Sequence, residues 1–211
     1  MMRFSIARDA LPFVVPLGAA AAVLFVFGLI VPGAVCALAA VLVLFFFRDP
    51  KRTPPSDTAL VVAPADGLIV GVSEVDEPDY LGEPTVRVSI FLRLWNVHMT
   101  YAPVNGTVEH VAYRPGRFGI AGFSKASELN EANSIGVRAG GGRLMFRQIA
   151  GMIARRIVCR IGPGDEVRRG ERVGLIKFGS RVDVFFPKSY EVLVRKGDLV
   201  RAALSPIARP R

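Results

Sequence analysis

The amino-acid sequence predicts a mainly β domain, barrel-sandwich-like with short helices, preceded by an N-terminal transmembrane helical hairpin. Three observations lead there: an uncharged apolar run from Ala10 to Phe47, period-two alternation beyond residue 57, and a turn motif that occurs twice. The run contains no Asp, Glu, Lys, Arg or His, although the 211-residue chain is 21% charged overall. Such a split excludes a disordered chain and a fully soluble protein, and one apolar run is too little for a polytopic transporter. The predicted units are residues 1–52 as membrane segment and 53–211 as β-rich domain.

Pro32-Gly33 divides the apolar run into predicted helices over 11–31 and 34–47. At 1.5 Å per residue these reach about 31 and about 21 Å, so the first spans a hydrocarbon core and the second falls short. Arg3 and Arg8 precede the run and Arg48, Lys51 and Arg52 follow it. Cations at both ends favour a hairpin with its termini, and the following domain, on the cytoplasmic side of the cell membrane. A cleavable secretory signal ending near Ala37-Leu38-Ala39 is the competing interpretation, but the apolar run continues well past that point.

Lys and Arg total 27 against 18 Asp and Glu, a net charge of +9. A basic domain held at a bilayer is drawn to anionic headgroups by about 1 kcal/mol per well-placed cation. Nucleic acid is the poorer partner, because no finger, recognition helix or aromatic-basic signature accompanies the charge. Cys36 and Cys159 lie far apart and predict neither a disulfide framework nor a metal site.

Thr53-Pro54-Pro55-Ser56-Asp57 is a linker of residues that neither continue a helix nor pair in a sheet. Beyond it, Leu60 to Val62, Leu68 to Val72, Val86 to Phe91, Val108 to Ala112, Arg143 to Ile149, Arg172 to Ile176 and Val182 to Phe186 alternate as short strands. Ser124 to Glu131 and Ala150 to Ile157 are the two predicted short helices. Ala63-Pro64-Ala65-Asp66-Gly67-Leu68-Ile69 and Ala102-Pro103-Val104-Asn105-Gly106-Thr107-Val108 share one pattern, in which Pro sets φ and Asp-Gly or Asn-Gly turns the chain into a strand. Gly164 to Gly170 is a third turn of related logic. Turns of this kind resemble those of lipoyl and biotinyl barrel-sandwich domains.

Chemistry enters at Gly179-Ser180, between two strands. Glycine lets the backbone bend there, and a serine Oγ reaches the carbonyl carbon of the preceding residue. By itself the dipeptide reads as an ordinary hairpin turn.

The order of several segments is more specific. Arg48-Asp49-Pro50, Ala63 to Gly67, Asn96-Val97-His98 leading into Ala102 to Val108, Tyr113 to Phe118, Gln148 to Gly151 with Ala154 to Val158, and Gly174 to Asp183 together resemble the phosphatidylserine decarboxylases in their short bacterial and archaeal form. The resemblance covers residues 48 to 187. It implies a pyruvoyl enzyme cut autocatalytically between Gly179 and Ser180 into a large chain, 1–179, and a small chain, 180–211. Ser180 would become the covalent pyruvoyl cofactor, with no metal. Its keto group would form a Schiff base with phosphatidylserine and accept electrons as carbon dioxide leaves, yielding phosphatidylethanolamine.

The same resemblance makes Ser180, His98 and Asp66 the catalytic candidates, with Gly179 and Ser180 the cleavage site. Long members of the family carry two histidines three residues apart before the Pro-x-Asn-Gly turn; here those places hold His98 and Tyr101, so His98 would serve self-cleavage, decarboxylation or both. His110 fits an ordinary strand position. The stretch Arg117 to Phe123 would be a loop dipping into the membrane interface, and Arg114, Arg117, Lys125 and Arg138 could contact phosphate. Partners would be phosphatidylserine, an anionic membrane surface, the two chains of one precursor and, as an option, a second copy. A non-enzymatic membrane-anchored adaptor or carrier module is the alternative, weakened because no Asp-Lys pair marks a modifiable hairpin tip.

Overall fold

The computed structural model describes residues 4–116, 130–151, 156–177 and 180–211. The chain divides into two compact units, Met1–Lys51 and Arg52–Arg211.

In the first unit a short 3-10 helix, Arg8–Ala10, leads into α1 (Leu11–Val26), which is followed by α2 (Ile30–Phe46). Strands β1 (Phe4–Ile6) and β2 (Arg48–Pro50) pair antiparallel and close the far ends of the two helices. The turn therefore falls at Phe27 to Leu29 and not at Pro32-Gly33 as expected. Gly28, at φ +72°, supplies the left-handed residue that ends α1. Pro32 is accommodated in the first turn of α2, where no intrahelical N–H partner is lost. Moving the turn makes the helices nearly equal, at about 24 and about 26 Å. Arg8–Val26 is long and apolar enough to cross a membrane; Ile30–Phe46 is a shorter apolar helix.

The second unit is mainly β. Its strands are β3 (Val61–Val62), β4 (Gly67–Glu77), β5 (Glu83–Leu92), β6 (Met99–Tyr101), β7 (Gly106–Arg114), β8 (Ala132–Ala139), β9 (Gly142–Ala150), β10 (Ile157–Cys159), β11 (Glu166–Val167), β12 (Arg172–Ile176), β13 (Ser180–Pro187), β14 (Tyr190–Val192), β15 (Leu199–Val200) and β16 (Pro206–Pro210). An eight-stranded sheet runs β11-β7-β8-β9-β13-β5-β4-β15, and two three-stranded sheets, β10-β12-β6 and β14-β16-β3, complete the unit. All three contribute to one apolar core, for example Ile90, Phe146 and Val184 from the large sheet, Val173 from the second and Ile207 from the third. At about 25 cal/mol per Å² of apolar area, this shared interior is the main source of stability.

Both predicted helices give way to strand at their described ends: Ala150 closes β9 and Ile157 opens β10, while Glu131 immediately precedes β8. Residues 124–129 and 152–155 lie outside the described residues. Ala132 to Ala139 was missed as a strand because its outer positions are small or polar yet buried, which blurs the alternation.

The two Ala-Pro turns are related by an approximate two-fold arrangement. Val62 N–H donates to Pro103 O at 3.0 Å, and Tyr101 N–H to Pro64 O at 2.9 Å. Each turn also receives a later Gly-Asp turn in the same way. Gly67 pairs with Val200 as Gly106 pairs with Val167. Ile69 N–H reaches Asp198 O at 2.9 Å, and Val108 N–H reaches Asp165 O at 2.8 Å. Ala202 N–H donates to Asp66 Oδ1 at 2.7 Å, and Arg169 N–H to Asn105 Oδ1 at 2.9 Å. The third turn expected at Gly164 thus has a twin at Gly197-Asp198, both glycines having positive φ, +95° and +101°. In the first pair of turns the glycines serve close approach instead. A Cβ on Gly106 would sit 2.2 Å from Arg138 O, and one on Gly67 2.3 Å from Phe91 O.

The linker lacks regular structure but is fastened. Arg169, whose side chain crosses to it, donates to the carbonyls of Pro55, Asp57 and Leu60.

Gly106→Ala should lower the unfolding free energy by about 1–3 kcal/mol, because the new methyl meets backbone that cannot move without breaking the β7–β8 ladder. Gly71→Ala, where a Cβ meets nothing within 4 Å, is the control and should change it by less than about 0.5 kcal/mol. Denaturant unfolding in detergent measures both; equal losses would contradict the close-approach argument.

Candidate active site

Five strand ends of the large sheet meet in one row. Arg114 pairs with Ala132, Ala132 with Ile149, Ala150 with Ser180, and Ser180 with Leu92. Ser180 therefore opens β13, the strand flanked by β9 and β5, and it is fully buried. Period-two geometry puts its side chain on the face of Val182, whose neighbours are Ala65, Leu92, Ala150 and Ile176. In this apolar surrounding Ser180 Oγ is buried with no hydrogen-bond partner among the described residues. An unsatisfied buried hydroxyl costs about 1–3 kcal/mol, and its persistence calls for a role. Gly179 lies outside the described residues.

His98 is 2% exposed and stands just before β6. Its carbonyl accepts the Ile176 N–H at 3.2 Å, which ties it to the last residue of β12, just upstream of the Lys177 to Ser180 junction. The ring Nδ1 lies 2.9 Å from Asn96 O. A carbonyl only accepts, so Nδ1 carries a proton here, which leaves Nε2 as the nitrogen that can exchange one.

Asp66 follows Ala65 of the apolar cluster and is 8% exposed. Both its oxygens face Arg52: Nη2 donates to Oδ2 at 2.8 Å, and Nη1 to Oδ1. With the Ala202 N–H, these are its hydrogen bonds among the described residues. Asn105, its counterpart in the second turn, has the same backbone bond without the charge. The carboxylate in place of an amide is thus explained by Arg52, which also donates to Ala202 O at 2.8 Å and lies over the Tyr101 ring at 5.7 Å.

Around these residues are buried polar groups that the alternation pattern conceals. Gln148, opposite Val182, donates to Thr100 Oγ1 at 3.1 Å and accepts from Asn133 at 3.2 Å. Asn130 holds the end of β9 through Ala150 O at 2.8 Å. On the other face of β13, Arg181 bonds Asp183 at 2.6 Å and Ser89 at 2.6 Å, and both members of the pair are buried. Burial pulls the pKa of the adjoining Arg147 below the ordinary arginine value, with Glu77 opposing. A Gln within an apolar run and an Arg-x-Asp just after the serine were the available signals.

The other candidates fall elsewhere. His110 is in β7, stacked on Tyr80 at 5.6 Å. Arg138 is ion-paired with Glu109, which fits a solvated surface better than a phosphate contact. Arg117, Lys125 and the stretch to Phe123 lie outside the described residues.

A β-sheet end that buries a serine hydroxyl, with a buried histidine tied through its carbonyl to the strand that precedes the serine, describes a class of site suited to serine chemistry. Sequence comparison supplies the family. The phosphatidylserine decarboxylase family model matches residues 39–208. Among curated relatives, the phosphatidylserine decarboxylase proenzyme of Symbiobacterium thermophilum is 46% identical over 210 residues, covering 99% of this chain and 97% of its own. That of Syntrophus aciditrophicus is 45% identical over 205 residues, with 96% of each chain covered. That of Salinibacter ruber is 48% identical over 170 residues, covering 79% of this chain and 75% of its own. The chain belongs to the phosphatidylserine decarboxylase family and is an enzyme of that type, which sets aside the adaptor or carrier alternative.

Asp66→Asn retains the acceptor for Ala202 N–H, as Asn105 does, and removes only the charge facing Arg52. It should cost about 1–3 kcal/mol, and Arg52→Gln combined with it should cost clearly less than the two single losses added together. A double-mutant cycle by denaturant unfolding measures this; strict additivity would show that the pair does not interact.

Proposed function

We propose that this chain is a membrane-attached, self-processing phosphatidylserine decarboxylase that uses a pyruvoyl group made from Ser180. The observation that carries the proposal is the buried Oγ of Ser180 at the head of β13, without a hydrogen-bond partner among the described residues, in a chain of this family. A hydroxyl kept from other partners in an apolar pocket fits a precursor that must attack and then be consumed.

In the processing step Ser180 Oγ adds to the Gly179 carbonyl carbon, the C–N bond to Ser180 breaks, and an ester replaces the amide. His98 Nε2 takes the hydroxyl proton and returns it to the departing nitrogen. Elimination across Cα–Cβ releases the Gly179 carboxylate, and water then converts the dehydroalanine to the α-keto acid with loss of ammonia. The products are chains 1–179 and 180–211. Once formed, the group supplies an electron sink for loss of carbon dioxide from phosphatidylserine. The role left to the chain is to place the substrate amine at residue 180, exclude water through the Ala65, Leu92 and Ile176 cluster, and deliver a proton from His98 to the carbon that lost its carboxylate.

Asp66 enters this scheme as the fixed negative charge at the site's edge, holding Arg52 where the tether enters the domain. The preorganised ion pair supports the geometry without itself moving a proton. α1 and α2 are proposed to form a membrane hairpin whose basic end, with Arg8, Arg48 and Lys51, lies on the cytoplasmic side with the catalytic domain. The two-fold turn arrangement supports the barrel-sandwich assignment.

Denaturing mass analysis of purified protein should show two chains separated between Gly179 and Ser180, the smaller blocked to Edman degradation, and Ser180→Ala should remain one chain. An intact 22.8 kDa wild-type chain in a folded preparation that decarboxylates phosphatidylserine would refute the proposal. His98→Gln should slow processing, decarboxylation or both by more than about 100-fold. Following the processed fraction and the turnover of already processed enzyme separately assigns the step; both rates within about twofold of wild type would remove His98 from the mechanism.

A further inference from the structure

The turn joining β5 to His98 has an unusual tip. Asn96 N–H donates to Arg93 O at 2.9 Å, and Arg93 N–H donates to Asn96 Oδ1 at 2.8 Å, so Leu94 and Trp95 occupy the two central positions. Such positions ordinarily hold Gly, Pro, Asn or Asp. Here Leu94 is 51% and Trp95 60% exposed, two adjacent large apolar side chains at the corner of one turn. Exposed apolar pairs of this kind mark a contact surface.

The position of the corner identifies what it contacts. Leu92, two residues before the tip, pairs with Ser180, and Asn96, just after it, accepts the His98 ring N–H. At the other end of the same row of strand ends stands Tyr113, also 60% exposed, next to the exposed Arg114. Arg93 lies over the Trp95 ring at 5.7 Å. Among the described residues, two acids that adjoin this row, Glu131 and Asp66, are buried. Trp and Tyr beside arginines, with the negative charges withdrawn, is the composition that settles at the level of lipid headgroups.

We propose that the Leu94–Trp95 corner inserts into the headgroup region of a phospholipid bilayer, with Arg93, Tyr113 and Arg114 seated against its anionic surface, so that this end of the sheet opens directly onto the membrane. The choice of a bilayer over a protein partner rests on the proposed lipid substrate, which must reach Ser180 at this end. Two exposed apolar side chains at the tip of a single tight turn also suit a fluid surface, which closes around them, better than a flat protein face.

Trp95 is the only tryptophan in the chain, so intrinsic fluorescence reports on this corner alone. The full-length protein is reconstituted into nanodiscs of phosphatidylcholine and phosphatidylserine, with either plain or shallowly brominated acyl chains. Brominated lipid should quench the emission at least twofold relative to plain lipid, and acrylamide quenching should fall at least threefold relative to the detergent-unfolded chain. Emission equal in plain and brominated lipid overturns the proposal, whether acrylamide reaches the indole, as on a free loop, or does not, as under a protein partner. The reading needs no turnover. Lipid quenching in discs that fail to decarboxylate phosphatidylserine would count against the functional proposal and leave the surface assignment standing.

Discussion

The constraint on which the second unit depends is the mutual hydrogen bonding of its two Ala-Pro turns, Val62 to Pro103 and Tyr101 to Pro64. Neither turn is stable by itself, since each leaves backbone groups that must be paired once buried. Together they satisfy one another, and each takes up a Gly-Asp turn through an Asp66 or Asn105 side chain. Strands β4 and β7 leave these turns in opposite halves of the large sheet, with β13 between them. The serine at the head of β13 is thus located by contacts made far from it in sequence.

That arrangement explains how the Ser180 hydroxyl is kept buried with no hydrogen-bond partner among the described residues. β13 has hydrogen-bonded neighbours on both sides and buried side chains on both faces, so its backbone has little freedom to relax toward a partner for Ser180. The Arg181–Asp183–Ser89 contacts on one face and the Val182 cluster on the other fix it further. The energetic cost of one unpaired hydroxyl is spread over a sheet whose apolar core is much larger. His98, whose ring Nδ1 is held by the Asn96 carbonyl, is tied through its own carbonyl to Ile176 at the end of β12.

Much of this was legible in the sequence. Each of the seven expected strands overlaps a strand of the fold, Arg172 to Ile176 with identical bounds and most of the others extending further at their ends, and the repeated turn motif pointed to a repeated structure. What remained hidden had physical causes. The pairing of Asp66 with Arg52 and its equivalence to Asn105 are tertiary facts that no local pattern announces. Gly28 outweighed Pro32-Gly33 as the helix break because proline is harmless in a first helical turn. The partner turn at Gly197-Asp198 went unnoticed since it shares only a few residues with Gly164-Asp165, its likeness residing in backbone pairing. Short strands such as β11 and β15 carry too few residues for any period to show.

The central claim is that residue 180 ends as a keto acid that performs the chemistry. Treating protein that actively decarboxylates phosphatidylserine with borodeuteride, then fragmenting the small chain in a mass spectrometer, addresses it directly. Hydride adds to a ketone and not to a serine, so the account predicts one non-exchangeable deuterium at residue 180, on a 2-hydroxy acyl terminus, with loss of activity in parallel. A seryl residue at that position, free of deuterium in a preparation still turning over substrate, would contradict it.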